Sequence, residues 1–147
     1  QLALIFVIIQ TAIIAVNLLN QTSPLLILGN NVYLKSFQPN QLATLSQLSL
    51  NIQGVGYAIG LVFFGFYCLL VGYVIFKSKM VPKSLGILYI ISGTGYLINS
   101  FTMLLSKGFA NPIFSYVAIP IFIGELSFCL WLLIKGIDNS EIFNPND

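Results

Sequence analysis

The stretch GVGYAIGLVFFGFYCLLVGYVIF, residues 54–76, contains no charged residue and ends directly before Lys77. A helix needs about 20 mostly apolar residues to cross the hydrocarbon core of a membrane. Three further apolar runs of this kind lie on either side of the stretch. We therefore expect an all-α integral membrane helical bundle with four transmembrane helices. The predicted spans are 2–28, 55–76, 85–105 and 114–134.

The composition of the whole chain agrees with a membrane location. Of its 147 residues, 57% are hydrophobic and 7% are charged, whereas about a quarter of the residues in a soluble domain are charged. The net charge of +2 comes without any Arg, so the dense basic face that nucleic acid requires is missing. The expected partner is the lipid bilayer. Other membrane subunits or a homo-oligomer stay open as further partners.

The chain reads as one transmembrane domain, 1–136, followed by a polar tail, 137–147. Within residues 39–54, leucine and isoleucine recur at three- or four-residue spacing, as on one face of a helix. Pro39 suits the first turn of such a helix. The sequence therefore predicts an amphipathic extension that runs into the second span and either lies on the membrane surface or projects from it.

The lysines indicate which way the spans run. Short turns are predicted at Lys77–Lys83 and Ser106–Pro112. If the first of these turns is cytoplasmic, Lys135 and the three lysines of that turn are inside, and Lys35 and Lys107 are outside. Because cytoplasmic segments carry the excess of basic residues, we expect a cytoplasmic C-terminus.

Several stretches resemble a known family: VNLLN at 16–20, the opening stretch, VPKSLGILYIISGTGYLINS at 81–100 and IPIFIGELSFCLWLLIKG at 119–136. Together they are similar to a bacterial family of multi-pass membrane proteins catalogued as domain of unknown function 4386. The resemblance implies about six spans, of which this chain holds the last four, in the bacterial cytoplasmic (inner) membrane. The family often has His near the positions of Gln53 and Tyr67. Because the family has no assigned activity, the resemblance implies none for this chain.

Glu125 is the only acidic residue inside a predicted span. It lies about 16 Å along the fourth span, near the membrane midplane. A carboxylate there costs several kcal/mol unless it is paired or protonated, so such residues are candidate functional sites. Two interpretations stay open: a proton- or cation-linked site, and a protonated carboxyl group that hydrogen-bonds a neighbouring helix. The candidate polar partners are Tyr96, Asn99 and Asn17.

Pro120 lies five residues before Glu125. Proline removes one helical hydrogen bond, so a kink is expected at this point of the fourth span. Some transporters build a site from a broken helix beside an ionisable group, but ordinary membrane helices also tolerate proline. The sequence leaves both interpretations open.

Small residues predict which helix faces pack together. They follow one face of the second span and recur every seven residues in the third. Because small residues let helices approach closely and the turn between these spans is short, we expect the two faces to pack as antiparallel neighbours. Gly56 and Gly60 form a separate G-x-x-x-G, for which a dimer contact and chance both stay open. The predicted packing residues are Gly54, Gly65, Gly72, Gly86 and Gly93.

The residue types argue against catalysis. The chain has no His, and Cys68 and Cys129 are isolated, so no catalytic residue, metal site or cofactor is expected. We expect a non-enzymatic accessory, partner-binding or lipid-binding membrane subunit. The alternative is a small transporter or channel with a proton- or cation-linked site at Glu125. A carboxyl group bonded to one neighbouring helix favours the first, and a polar cavity that reaches it favours the second.

Overall fold

The computed structural model describes residues 1–29, 35–78, 80–105 and 107–135. Within these ranges the secondary structure is helical, with no strand. Each helix contains a segment long and apolar enough to cross a membrane. The all-α membrane bundle expected from the sequence is thus confirmed. The four helices are α1 (Leu2–Ile27), α2 (Pro39–Lys77), α3 (Lys83–Leu105) and α4 (Lys107–Lys135).

The second span and its predicted extension form one continuous helix. α2 has 39 residues and is therefore about 58 Å long, roughly twice the thickness of a membrane's hydrocarbon core. It begins at Pro39, and the backbone N–H of Gln38 donates to Oε1 of Gln41 at 2.9 Å. This bond satisfies a donor that would otherwise be free at the start of the helix.

α1 continues through Pro24. In the sequence, this proline and nearby polar residues interrupt the first predicted span. Pro24 has no N–H to donate to the carbonyl oxygen of Asn20, four residues earlier. The hydroxyl group of Ser49, on α2, donates to that oxygen at 2.9 Å. The neighbouring helix therefore supplies the hydrogen bond that the proline removes.

α4 begins earlier than expected. The sequence predicts a turn over Ser106–Pro112 and a span that starts at residue 114, but the helix begins at Lys107 and includes Pro112. The predicted turn is wrong because membrane helices tolerate proline, so that α4 continues through Pro112. The start of the membrane span at residue 114 stays a prediction. The predicted tail, 137–147, lies outside the described residues.

Each helix packs mainly on its neighbours in the chain. The extensive contacts join α1 to α2, α2 to α3, and α3 to α4. Most of the buried apolar residues belong to α2 and α3, and Ala58 and Cys68 of α2 are completely buried. The core therefore follows the α2–α3 contact, with α1 packed on one helix of this central pair and α4 on the other.

Glycines permit the close approach of α2 and α3. A Cβ atom at Gly65 would lie 3.1 Å from the carbonyl oxygen of Gly93, and one at Gly72 would lie 2.9 Å from that of Gly86. The structure thus pairs the second-span and third-span glycines, in antiparallel order. Gly54 lies earlier in α2, where a Cβ would be 3.1 Å from Cε of Met103 on α3.

Gly56 and Gly60 face α1. A Cβ at Gly56 would overlap the side-chain amide of Asn17, and one at Gly60 would lie 2.9 Å from Cδ1 of Ile14. The G-x-x-x-G pair is therefore used inside the chain, where it lets α1 approach α2.

Candidate intramembrane polar site

A hydrogen bond joins α3 to α4 in the interior of the bundle. The hydroxyl group of Tyr96 donates to Oε1 of Glu125 at 2.7 Å. Both side chains are partly buried. The structure thus brings together two of the four residues that the sequence proposes for the polar site.

Aromatic side chains from α2 and α4 pack on the aromatic residues of α3 along this part of the bundle. The ring of Phe64 meets the ring of Tyr96 edge-on, with 5.1 Å between centroids, an arrangement that aromatic pairs prefer. Two turns earlier in α3, Tyr89 lies 5.1 Å from the ring of Phe128 on α4. Tyr96 is therefore held by α2 through its ring and by α4 through its hydroxyl group.

The lysines of these three helices lie far from the carboxyl group of Glu125. Lys77 ends α2, Lys83 begins α3, and Lys107 and Lys135 begin and end α4. Lys135 is the nearest of these to Glu125 along α4. Glu125 precedes Lys135 by ten residues, which is about 15 Å along a helix. Its hydrogen-bond donor is thus a neutral phenol, which can serve a protonated or an ionised carboxyl group.

One turn of α4 before Glu125, backbone atoms of the two helices come close together. The hydroxyl oxygen of Ser92 lies 3.3 Å from the carbonyl oxygen of Ile121, 3.4 Å from that of Pro120 and 3.1 Å from that of Leu88. Ser92 is completely buried and has one hydrogen to donate among these three acceptors. It therefore ties α3 to the segment of α4 that leads to Glu125.

Gly124 makes this approach possible. A Cβ atom at this position would overlap the hydroxyl oxygen of Ser92 and would lie 2.8 Å from the carbonyl oxygen of Leu88. Sequence reasoning does not select Gly124 as a packing residue. The sequence feature that could identify Gly124 is its position directly before Glu125, the acidic residue that is expected to face another helix.

The other two proposed partners do not join the site. Asn99 is buried one turn further along α3, and the structure records no hydrogen bond between it and Glu125. Asn17 lies in the α1–α2 contact, where its amide group donates to the carbonyl oxygen of Gln53 at 2.7 Å. Because α1 packs on α2 and α4 packs on α3, Asn17 is directed away from the carboxyl group.

A second group of polar residues joins α1 to α2. The amide group of Asn20 donates to Oδ1 of Asn17 at 3.2 Å, and Asn17 is the one buried residue of α1. With the Ser49–Asn20 bond described above, these contacts connect the two helices through side chains and backbone carbonyls. Sequence reasoning misses Ser49. The signal that identifies it is Pro24, which leaves a carbonyl group in need of a donor.

Pro120 lies within the continuous helix α4. The expected kink stays a prediction. The nearby backbone carbonyls contact Ser92, as described above, so this part of α4 presents oxygen atoms to α3.

Among the residues that the structure describes, no group of three or more His, Cys, Asp or Glu side chains is placed to hold a metal ion. Of the two cysteines, Cys68 is buried and Cys129 is exposed, and both are free thiols. The chemistry available at Tyr96 and Glu125 is therefore hydrogen bonding, proton binding and coordination by oxygen atoms.

The family model described as "Domain of unknown function (DUF4386)" matches residues 1–136. The chain belongs to this family. An uncharacterized protein of Archaeoglobus fulgidus (strain ATCC 49558 / DSM 4304 / JCM 9628 / NBRC 100126 / VC-16) is 40% identical to the DUF4386 chain over 84 residues. This match covers 57% of the chain and 48% of the relative, so it spans about half of the relative's length. No solved structure matches the chain.

The resemblance to the DUF4386 family is thus confirmed. The family and the relative carry no assigned activity. The bacterial source and the total of six spans stay predictions.

Proposed function

We propose that this DUF4386 chain is a non-enzymatic membrane subunit, with an accessory, partner-binding or lipid-binding role. In this proposal, Glu125 is a structural contact that holds α4 against α3. The supporting observation is the 2.7 Å hydrogen bond from the hydroxyl group of Tyr96 to its carboxyl group. No catalytic residue, metal or cofactor forms part of the proposal.

The cost of burying a carboxyl group explains why such a contact is useful. Even a neutral carboxyl loses the hydrogen bonds of water when it enters hydrocarbon, at a cost of about 1–3 kcal/mol if it stays unpaired. A bond to α3 recovers part of this cost only when α4 is correctly packed. Glu125 therefore favours one rotation of α4 over the others, a role that needs no turnover.

An enzyme would need at least two cooperating catalytic groups. The whole sequence has no His, and Glu125 is the one acidic residue within the described ranges. Its neighbour Tyr96 acts as a hydrogen-bond donor. This supports a role outside catalysis.

One observation favours a second candidate, a small transporter or channel. One turn before Glu125, the carbonyl oxygens of Pro120 and Ile121 lie 3.4 Å and 3.3 Å from the hydroxyl oxygen of Ser92 across the α3–α4 contact. Oxygen-rich sites of this kind bind protons or hard cations in membrane transporters. Glu125 is also only partly buried.

Proton flux into liposomes separates the two candidates. The purified chain is reconstituted with a pH-sensitive dye inside the vesicles, and a potassium gradient with valinomycin sets the membrane potential. The proposed function predicts that wild type acidifies the lumen no faster than empty vesicles. Flux above that background that disappears in Glu125→Gln, with folding intact by size-exclusion chromatography, would contradict it and establish the transporter.

We also propose that the C-terminus faces the cytoplasm across a bacterial inner membrane. The lysine distribution supports this orientation, since Lys77, Lys83 and Lys135 lie at one end of the bundle and Lys35 and Lys107 lie towards the other. Association with other membrane subunits or with a second copy of the chain belongs to the same proposal.

A further inference from the structure

One end of the bundle carries exposed lysines from three helices. α2 ends at Lys77, α3 begins at Lys83 and α4 ends at Lys135. Because neighbouring helices are antiparallel, these three positions lie at the same end. All three side chains are exposed.

Aromatic rings of α2 hold two of these ammonium groups. Nζ of Lys77 lies 5.8 Å from the ring centroid of Tyr73, and Nζ of Lys83 lies 5.9 Å from that of Phe76. Both distances are within the range of a cation–π interaction, about 6 Å. Since Phe76 belongs to α2, Lys83 reaches from α3 to the last turn of the neighbouring helix. The two positive charges are thereby gathered at one place.

This basic surface, formed by Lys77, Lys83, Tyr73 and Phe76, has no acidic neighbour among the described residues. Glu125 is the one acidic residue in those ranges, and it is bonded to Tyr96 in the interior. Within the described part of the chain, the two ammonium groups therefore have no carboxylate partner.

The exposed rings of Tyr73 and Phe76 indicate the depth in the membrane at which an anion would bind. Tyr73 is 57% exposed and Phe76 is 38% exposed, and both lie in the last turn of α2, at the end of its apolar stretch 54–76. Exposed aromatic residues next to lysines at the end of a span are typical of the membrane–water interface. This pattern predicts that the rings and the two ammonium groups lie at the level of the lipid headgroups.

We propose that the basic surface binds the headgroup phosphate of an anionic phospholipid. The two positive charges favour an anion as the ligand. The exposed rings favour a lipid over a soluble ion, because they can contact the part of a lipid next to its phosphate. Paired ammonium groups attract anionic headgroups. The inference deepens the proposed function and rests on its lipid-binding form.

The test compares lipid retention by the full chain and by matched variants. Protein is reconstituted in vesicles of equal parts phosphatidylglycerol and phosphatidylcholine, extracted in mild detergent, and analysed for bound lipid by native mass spectrometry. Wild type is expected to retain phosphatidylglycerol preferentially. The double variant Lys77→Gln/Lys83→Gln is expected to weaken this binding roughly 30-fold.

Two controls identify the cause. Lys35→Gln removes one exposed lysine at the other end of α2 and is expected to leave the preference unchanged. Lys77→Arg/Lys83→Arg keeps both charges and is expected to keep the preference, since Arg also binds phosphate. Thermal unfolding in detergent checks that every variant is folded.

Three results would overturn the inference. These are equal retention of the two lipids by wild type, an undiminished preference in the double Gln variant, and complete displacement of the bound lipid by millimolar inorganic phosphate, which would indicate a site for a soluble anion. The proton-flux assay is independent of lipid retention. A negative lipid result with no proton flux would therefore leave the proposed function in place and remove this inference alone.

Discussion

Gly65 and Gly93 face each other across the α2–α3 contact, so that a Cβ atom on either glycine would meet the carbonyl oxygen of the other, at 3.1 Å and 2.8 Å. The same relation joins Gly72 to Gly86 one heptad away. The two backbones are therefore in contact along this line, and no side chain of any size fits between them.

The first prediction concerns Gly93→Ala, which adds one methyl group to this contact. The helices must separate or shift to accept it, so we expect a loss of about 1–3 kcal/mol in the free energy of unfolding. The measurement is equilibrium unfolding in detergent micelles. Thr94→Ala is the matched control, because Thr94 is the next residue of the same helix and is exposed. Equal stability of the two variants would show that α2 and α3 are not in close contact at Gly93.

The glycine faces could be predicted from the sequence because they depend on residue size and helical spacing alone. Gly65, Gly72, Gly86 and Gly93 recur at seven-residue intervals, and a short turn forces their helices to be neighbours.

A similar argument predicts that Glu125 is hydrogen-bonded to a neighbouring helix, since a buried carboxyl group needs a donor. It leaves Tyr96, Asn99 and Asn17 all open as that donor.

The place of Asn17 could not be predicted in this way. A polar residue on α1 can face any adjacent helix. The sequence does not indicate which helix that is, whereas in the structure the extensive contacts of α1 are with α2. The start of α4 is not predictable from the sequence for another reason. Pro112 is typical of a turn in a soluble protein, but membrane helices tolerate proline.

The second prediction concerns Ser49, whose hydroxyl group donates to the carbonyl oxygen of Asn20. Ser49→Ala removes the donor and is expected to cost about 0.6–2 kcal/mol, the range for polar contacts between membrane helices. In a Pro24→Ala background, the new N–H of residue 24 can donate to the same oxygen, so the cost of Ser49→Ala is expected to fall towards zero. The four stabilities form a double-mutant cycle. An equal cost in both backgrounds would disprove the link between Pro24 and Ser49.

The third prediction compares two serines of α3 that are both completely buried. The hydroxyl group of Ser100 has no hydrogen-bond partner, whereas that of Ser92 contacts carbonyl oxygens of α3 and α4. A buried polar group without a partner costs about 1–3 kcal/mol. Ser100→Ala is therefore expected to stabilise the protein, and Ser92→Ala to destabilise it. If thermal unfolding moves in the same direction for both, the partners assigned to the two hydroxyl groups are wrong.

The fourth prediction concerns orientation in the membrane. Single cysteines are placed at Ser84 and Asn40, both exposed, after Cys68 and Cys129 have been replaced by Ala. Position 84 lies at the lysine-rich end and is expected to be cytoplasmic. An impermeant thiol reagent applied to intact cells should label position 40 and should label position 84 only after permeabilisation. The reverse pattern would invert the orientation.

The fifth prediction tests the central claim, that Glu125 serves as a hydrogen-bonded contact between α3 and α4. Glu125→Gln is expected to unfold close to wild type, because the amide oxygen can accept the same bond from Tyr96. Glu125→Leu and Tyr96→Phe are each expected to lose stability, since each leaves one partner without its bond.

The most direct measurement is the coupling free energy between these two residues. Unfolding in detergent is measured for wild type, Tyr96→Phe, Glu125→Leu and the double variant, which together form a double-mutant cycle. We predict a favourable coupling of about 0.6–2 kcal/mol, so that the double variant is little less stable than either single variant. Strictly additive losses, with no coupling beyond experimental error, would contradict the claim that Tyr96 and Glu125 hold α3 and α4 together.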